Sequence, residues 1–355
     1  MQPMIKDGVS VLYRKTDEGY EVNFIIESSS VIVPFSIDAS ALSCIKLLDG
    51  VHTIESIATI VGISAEAVLS LIEMLQSNGL LQTFSTVGNN YVGSRFETQV
   101  NFLAGFQTDS NDDFQKRISN SRVTIIGLGG IGSWVAYGLV LAGVRNITLV
   151  DADVVELSNL NRQCLYDPQS VGQPKVEVMS AKLRAFEPEL VTTNIQCLVD
   201  TSETCAQVST DSDLVICCAD EPGTDEVNRL VSEACFLQNL PHILCGGYDG
   251  HLGFIGPTVV PGVSGCWFCY EQTLEHQLLA AGYYHLQITP TQIKGGNFGS
   301  ISAIIANYHV TEALKVLSGF AKPTLLNQVA EMDFLTYTIH MRQYHKRSEC
   351  CICNN

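Results

Sequence analysis

The chain has 355 residues, room for about two domains around a large buried core. Apolar residues make up 46% and charged residues 16%, the proportions of a folded globular protein rather than a disordered one. A formal net charge of −17 argues against a general nucleic-acid or anionic-membrane binder, because both surfaces repel an acidic body. The start has no long apolar run, and no later stretch reaches about 18 uninterrupted apolar residues, so a soluble, cytoplasmic protein is expected. The 13 cysteines are an odd number in a chain that is no small secreted scaffold. Those inside apolar runs (Cys217, Cys218, Cys245) read as buried free thiols.

Residues 1–86 form the first expected unit. Val9–Tyr13, Tyr20–Ile26 and Val31–Phe35 read as short strands, rich in β-branched and aromatic residues and separated by turn formers. Three helical patterns follow: Ala39–Leu48 behind Asp38, Ile54–Val61 behind Thr53, and Ala65–Ser77 behind Ser64. Asn78-Gly79 stops the last helix, and Leu80–Phe84 returns as a strand. Three strands and three helices in this order predict a small winged-helix-like domain. Such a domain often binds DNA, but residues 1–90 carry four Lys/Arg against ten Asp/Glu, which argues against phosphate tracking. The run Leu47-Leu48-Asp49-Gly50-Val51-His52-Thr53-Ile54 and the closing Gly79-Leu80-Leu81 resemble the peptide-recognition domain of enzymes that modify ribosomally made peptides. That resemblance implies a leader peptide added as a strand to the edge of the sheet. A dimerisation or packing module is the other reading.

Residues 87–120 read as a polar connector with one helical segment, and Arg95 stands out in its first half. From 121 to 355 strands and helices alternate: Val123–Ile126, Ile131–Leu141, Asn146–Val150, Lys175–Phe186, Val191–Gln196, Leu214–Cys217, Asp225–Leu237 and His242–Cys245. This predicts an α/β domain, a Rossmann-like, mostly parallel sheet with helices on both faces.

Gly127-Leu128-Gly129-Gly130-Ile131-Gly132 follows an apolar strand and opens a helix, the arrangement that brings backbone N–H groups to a phosphate. Asp151 ends the next strand, where a carboxylate accepts from ribose hydroxyls. These features alone suit NAD as well as ATP. The polar run that follows (Asp153, Ser158, Asn159, Asn161, Arg162, Gln163) and Lys175 at the next helix start suit a triphosphate. Arg162 and Lys175 neutralise phosphates, and Asn159 and Gln163 fix ribose or phosphate. Asp153 and Asn161 read equally as turn residues. Asp220, at the carboxyl end of an apolar strand, suits Mg²⁺, a hard cation that prefers carboxylate and phosphate oxygens.

Cys266-Trp267-Phe268-Cys269 and Cys350-Cys351-Ile352-Cys353 place two Cys-x-x-Cys pairs far apart in one chain. Four thiolates, Cys266, Cys269, Cys350 and Cys353, would close a tetrahedral structural Zn²⁺ site, with spacing favouring Cys350 over Cys351. A redox dithiol is the alternative.

Gly-x-Gly-Gly-x-Gly, Asp-x-Asp-x-Val-x-x-Ser-Asn-Leu-Asn-Arg-Gln and Gly-x-x-Lys resemble the ThiF/MoeB/ubiquitin-activating (E1-like) superfamily from about Arg95 to Cys353. The resemblance implies an enzyme in which a carboxylate attacks the α-phosphate of Mg·ATP, giving an acyl adenylate and pyrophosphate. It implies that Asp151 holds the ribose, Arg162, Gln163 and Lys175 the phosphates, and Asp220 the Mg²⁺. It also implies zinc on the cysteines and a homodimer in which Arg95 reaches the partner's ATP. Where the family often has Asp-Asn, this chain has Asp220-Glu221.

No cysteine lies between Cys269 and Cys350, which removes a covalent thioester from that segment. Cys164 or another thiol is the alternative acceptor, and direct attack by a nucleophile of the substrate is simpler. The region 270–299 carries Glu275, His276, Tyr283, Tyr284, His285 and Lys294, of which His285 and Lys294 are candidates to line a substrate site. The expected reaction is therefore ATP-dependent activation of a carboxylate in a precursor peptide, a Glu side chain foremost, followed by condensation within the peptide to an antibiotic. Attachment of AMP to a peptide C-terminus and adenylation of a sulfur-carrier protein are the alternatives.

Overall fold

The computed structural model describes residues 2–6, 8–26, 30–84, 91–104, 106, 113–283, 296 and 298–353. The chain divides into two compact units, Met1–Asp112 and Asp113–Asn355.

The first unit contains β1 (Gln2–Ile5), β2 (Val9–Thr16), β3 (Gly19–Ile26), β4 (Val31–Ile37), α1 (Ala39–Ile45), α2 (Ile54–Val61), α3 (Ala65–Ser77), β5 (Leu81–Phe84) and α4 (Glu97–Ala104). Strands β2, β3 and β4 form an antiparallel sheet in that order. Val22 and Phe24 on β3 are fully buried, two residues apart as a pleated strand requires. On α3, Val68, Ile72 and Leu75 recur at helical spacing and face the same core. Asp38, Thr53 and Ser64 each accept a hydrogen bond from a first-turn N–H of the helix they precede. The module thus has the expected three strands and three helices.

Helix α1 stops at Ile45, short of the expected Leu48. The reason is tertiary: Leu48 O accepts from Ile5 N at 3.0 Å, and Met4 bridges Asp49, so β1 pulls the chain out of the helix. Strand β1, absent from the sequence reading, also pairs antiparallel with β5.

The second unit holds α5 (Phe114–Asn120), β6 (Arg122–Ile126), α6 (Gly130–Ala142), β7 (Asn146–Val150), α7 (Lys175–Phe186), β8 (Val191–Ile195), α8 (Ser202–Val208) and β9 (Leu214–Cys217). It continues with α9 (Thr224–Leu237), β10 (His242–Asp249), β11 (Leu252–Val259), α10 (Trp267–Ala280), α11 (Gly299–Ser318), β12 (Gln328–Asp333) and β13 (Thr338–Gln343). The connector stretch therefore carries two helices, α4 and α5, rather than one. Eight strands form one sheet in the order β13-β12-β11-β10-β9-β6-β7-β8. From β10 to β8 the pairs are parallel, and from β10 to β13 they are antiparallel.

The strand order reverses between β6 and β9, the switch point at which an open α/β sheet leaves a crevice. Because parallel crossovers are right-handed, this reversal sends helices to both faces. Helices α5, α6 and α7 join α11 on one side, while α8, α9 and α10 pack together on the other. Helix α6 is apolar nearly all round, as its burial between sheet and α11 demands. Among the described residues no single helix is long and apolar enough to cross a membrane.

Candidate functional site

The chain turns sharply as it leaves β6. Gly127 has φ +87°, and a Cβ there would lie 2.5 Å from Ala219 N. A Cβ on Gly132 would lie 1.9 Å from Gly127 O, so the first turn of α6 folds onto the loop only with glycine at both positions. The N-cap of α6 is Gly129, which offers no side-chain acceptor, and the first amides of the helix are left to an anion.

Asp151 braces this loop from the end of β7. It is buried, and its carboxylate accepts from Leu128 N at 2.7 Å and from Asp153 N at 2.8 Å. Lys175 stands beside it, only 6% exposed, with Nζ 2.7 Å from Asp153 Oδ2 and 3.7 Å from Asp151 Oδ1. The backbone explains how Lys175 comes there. Lys175 N donates to Asp153 O, Val155 N to Gln173 O, and Gly172 N to Val155 O, which stitches the start of α7 to the turn after β7. A buried lysine is tolerable only when paired, and two carboxylates pair it here.

The polar run between them forms a tight turn. Asn159 is buried, and its Oδ1 accepts from Glu156 N at 2.9 Å, so this residue builds the turn that presents its neighbours. Arg162 Nη1 donates to Ser158 O at 2.9 Å and Asn161 Oδ1 at 3.1 Å, and its aliphatic stem lies against Gly130. Gln163 is 5% exposed, yet its Oε1 has no hydrogen-bond partner. A buried amide oxygen without a donor calls for a ligand or a water.

These residues converge on one cavity of about 640 Å³. Gly127, Gly129, Gly130, Asp151, Asp153, Asn159, Arg162, Gln163, Lys175 and Asp220 all border it. Gly132, buried in the first turn of α6 against the loop, does not. Arg95 belongs to the first unit, where its guanidinium stacks 4.6 Å from the centre of the Phe96 ring. His285, Lys294 and Tyr284 lie outside the described residues.

Carboxylates outnumber cations on the cavity wall: Asp151, Asp153, Glu156, Asp220 and Glu221 face Arg162 and Lys175. A triphosphate placed there needs a further cation, and exposed Asp220 offers the hard oxygen donor that Mg²⁺ prefers. The sequence reading missed the wall formed by β10, with Gly246, Gly247 and Tyr248, and the approach to α11 at Gly296. The pair Gly246-Gly247 after an apolar strand was the available signal for an irregularity there.

The four cysteines meet away from this cavity. Cys266 caps α10, Cys269 sits in its first turn, and the C-terminal turn brings Cys350 and Cys353 against them. All four sulfurs lie within 4.8 Å of one another, while Cys351 is exposed and outside the group. Sγ separations are 3.9 Å (Cys266 to Cys269), 3.4 Å (Cys266 to Cys350) and 3.5 Å (Cys269 to Cys353). A tetrahedron with Zn–S near 2.3 Å has edges of about 3.8 Å, so the cluster fits. Arg347 N donates to Cys269 Sγ and Cys353 N to Cys350 Sγ, bonds that favour thiolates.

The comparisons agree with this geometry. Residues 97–353 match the ThiF family model. The chain is 29% identical over 259 residues to the molybdopterin-synthase adenylyltransferase of Escherichia coli, covering 73% of this chain and 95% of that protein. Among solved structures, E. coli MccB with AMPCPP and MccA superposes with a TM-score of 0.76 at 20% identity, covering 99% of this chain and 100% of the other. Elsewhere MccB is described as a microcin C7 biosynthetic enzyme. PaaA superposes with a TM-score of 0.71 at 21% identity over 96% of this chain and 100% of its own. The match over residues 97–353, together with the phosphate loop and the buried lysine, shows that this chain belongs to the ThiF family and is an ATP-dependent adenylating enzyme of the E1-like superfamily.

Proposed function

We propose that this enzyme activates a carboxylate of a ribosomally made precursor peptide as an acyl adenylate, and that a nucleophile of the same peptide then displaces AMP. The observation that carries the proposal is the convergence of the glycine loop, Lys175, Arg162, Gln163 and Asp220 on one cavity. In this reading Asp151 and Asp153 hold the ribose and keep Lys175 placed. The α6 amides, with Arg162, Gln163 and Lys175, bind the phosphates. Asp220 binds Mg²⁺, which when present neutralises the charge that grows on the departing pyrophosphate. The protein's work is positioning and charge neutralisation. The cysteine cluster holds structural Zn²⁺ with no open ligand position.

The peptide reading draws on the first unit. Its sheet ends in edge strands β2 and β4, where a peptide adds as another strand. MccB, which superposes over the whole of this chain, was solved with MccA bound. We assign residues 1–86 to leader recognition, residues 87–120 to a connector, and residues 121–355 to adenylation. A homodimer completes the site, with Arg95 donated to the partner's ATP. A Glu side chain is the favoured carboxylate, because a leader-binding domain suits modification at an internal site.

Intact-mass analysis of a short peptide encoded beside this gene, after incubation with the enzyme and Mg·ATP, tests the reading. Loss of one water per peptide is expected. Gain of AMP would replace condensation by nucleotide attachment, and an unchanged mass with ATP consumed would remove the peptide altogether.

A further inference from the structure

The cavity runs across the carboxyl edge of the sheet, and its walls follow the strand order. They come from the segment after β8 (Cys197–Val199), the end of β7 (Asp151–Val154), the loop after β6, the end of β9 (Ala219–Glu221) and β10 (Cys245–Tyr248). The adenylation reading above, on which this inference rests, fills the walls after β8 and at β7, β6 and β9 with base, ribose, phosphates and metal. The wall at β10 is left for the group that attacks the α-phosphorus.

Strand β10 is built differently from the other four. It pairs in parallel with β9 only as far as Leu244, then runs on as the antiparallel partner of β11. Its register with β11 shifts twice, between Ile243 and Cys245 and again between Cys245 and Gly247. A Cβ at Gly246 would lie 2.5 Å from Phe254 Cβ, so the two strands touch there. Gly247 has φ +71° and turns the backbone. Residues three apart on a regular strand face opposite sides, yet Cys245 and Tyr248 both border the cavity. Of the four residues in this wall, Tyr248 alone has a strong hydrogen-bonding side chain, and it is half-buried.

We infer that Tyr248 is the binding residue for the acyl half of the site, its phenol O–H donating to the oxygen of the substrate carboxylate that does not attack. The other carboxylate oxygen forms the new bond to the α-phosphorus. The bond from that phosphorus to the bridging oxygen breaks, and pyrophosphate departs with the electron pair. No proton is gained or lost by the reacting atoms, so a hydrogen-bond donor suffices at this position and no general base is required.

Two adenosine sulfamates separate this role from nucleotide binding: 5′-O-sulfamoyladenosine, and its N-acetyl derivative, which carries an acyl carbonyl where the adenylate would. Calorimetric titration of the wild type is expected to show the acetyl compound binding more tightly than the parent. Tyr248→Phe should cut that increment about tenfold, the worth of one hydrogen bond to a charged acceptor, while leaving ATP affinity unchanged. Tyr248→His, which restores a donor, should recover part of it. An increment that survives in Tyr248→Phe, or that is missing from the wild type, overturns the inference and leaves adenylation standing. A wild type that binds neither sulfamate nor ATP overturns the adenylation reading and this inference with it.

Discussion

In the proposed reading Asp220 serves the reaction and the cysteines serve the fold. Asp220 is exposed at the end of β9, so its loss removes little packing. Asp220→Ala should keep its stability within about 0.5 kcal/mol of wild type and lose roughly 100-fold or more in pyrophosphate release, since metal neutralisation of phosphate is worth several kcal/mol. Full turnover in that variant would remove Asp220 from the metal site. The cysteines behave oppositely. On the proposed zinc assignment, Cys350→Ser should lose the metal, measured by atomic absorption, and melt at lower temperature, whereas Cys351→Ser should match wild type in both because its thiol lies outside the cluster. Most of these residues were legible in the sequence because chemistry fixes their type and spacing: glycines where backbone meets phosphate, a polar run directly after a buried strand, paired Cys-x-x-Cys. Tyr248 was not. Its place depends on two register shifts in β10, which exist only once β11 has paired with it.

At the scale of elements, α11 does more than cover the sheet. Gly130 faces Ser302, and Gly138 lies so close to Val310 that a Cβ there would come within 2.8 Å of Val310 Cγ2. Both pairs step forward together along α6 and α11, so the two helices run parallel. Their positive N-terminal ends therefore lie side by side at the glycine loop. His309 fixes α11 to the sheet, its Nε2 accepting from Gly256 N at 3.0 Å. Burial pushes this imidazole down to about 4, well below its ordinary 6.5, so the folded protein holds it neutral. The unfolded chain takes up the proton first as pH falls, and the stability present above pH 6.5 is lost progressively toward pH 4. Thermal melts at pH 7.5 and 5 should show this loss, and His309→Gln, which keeps an acceptor, should make it shallower. An equal loss in that variant would place the effect elsewhere. The parallel strands and helices α6, α7 and α9 were legible from apolar runs and glycine stops, whereas the short α8 was not read. The antiparallel strands were not: β11 holds Gly253, Gly256 and Pro257, which weaken a strand signal, and β13 is exposed along its whole length.

The whole molecule joins a family enzyme to a module that the family match does not include, since that match begins at residue 97. The acidic charge already argued against nucleic acid for both parts, and the winged-helix-like order was readable from strand composition and three capped helices. The proposed function makes this an adenylating domain supplied with its own peptide holder. The proposed chemistry turns on which phosphorus the peptide carboxylate attacks. The most direct test incubates the enzyme with Mg·ATP and a precursor peptide whose glutamate side-chain carboxylates carry ¹⁸O, followed by mass spectrometry of the nucleotide and phosphate products. Attack on the α-phosphorus predicts AMP bearing one ¹⁸O beside unlabelled pyrophosphate. Production of ADP with the label in inorganic phosphate would contradict it.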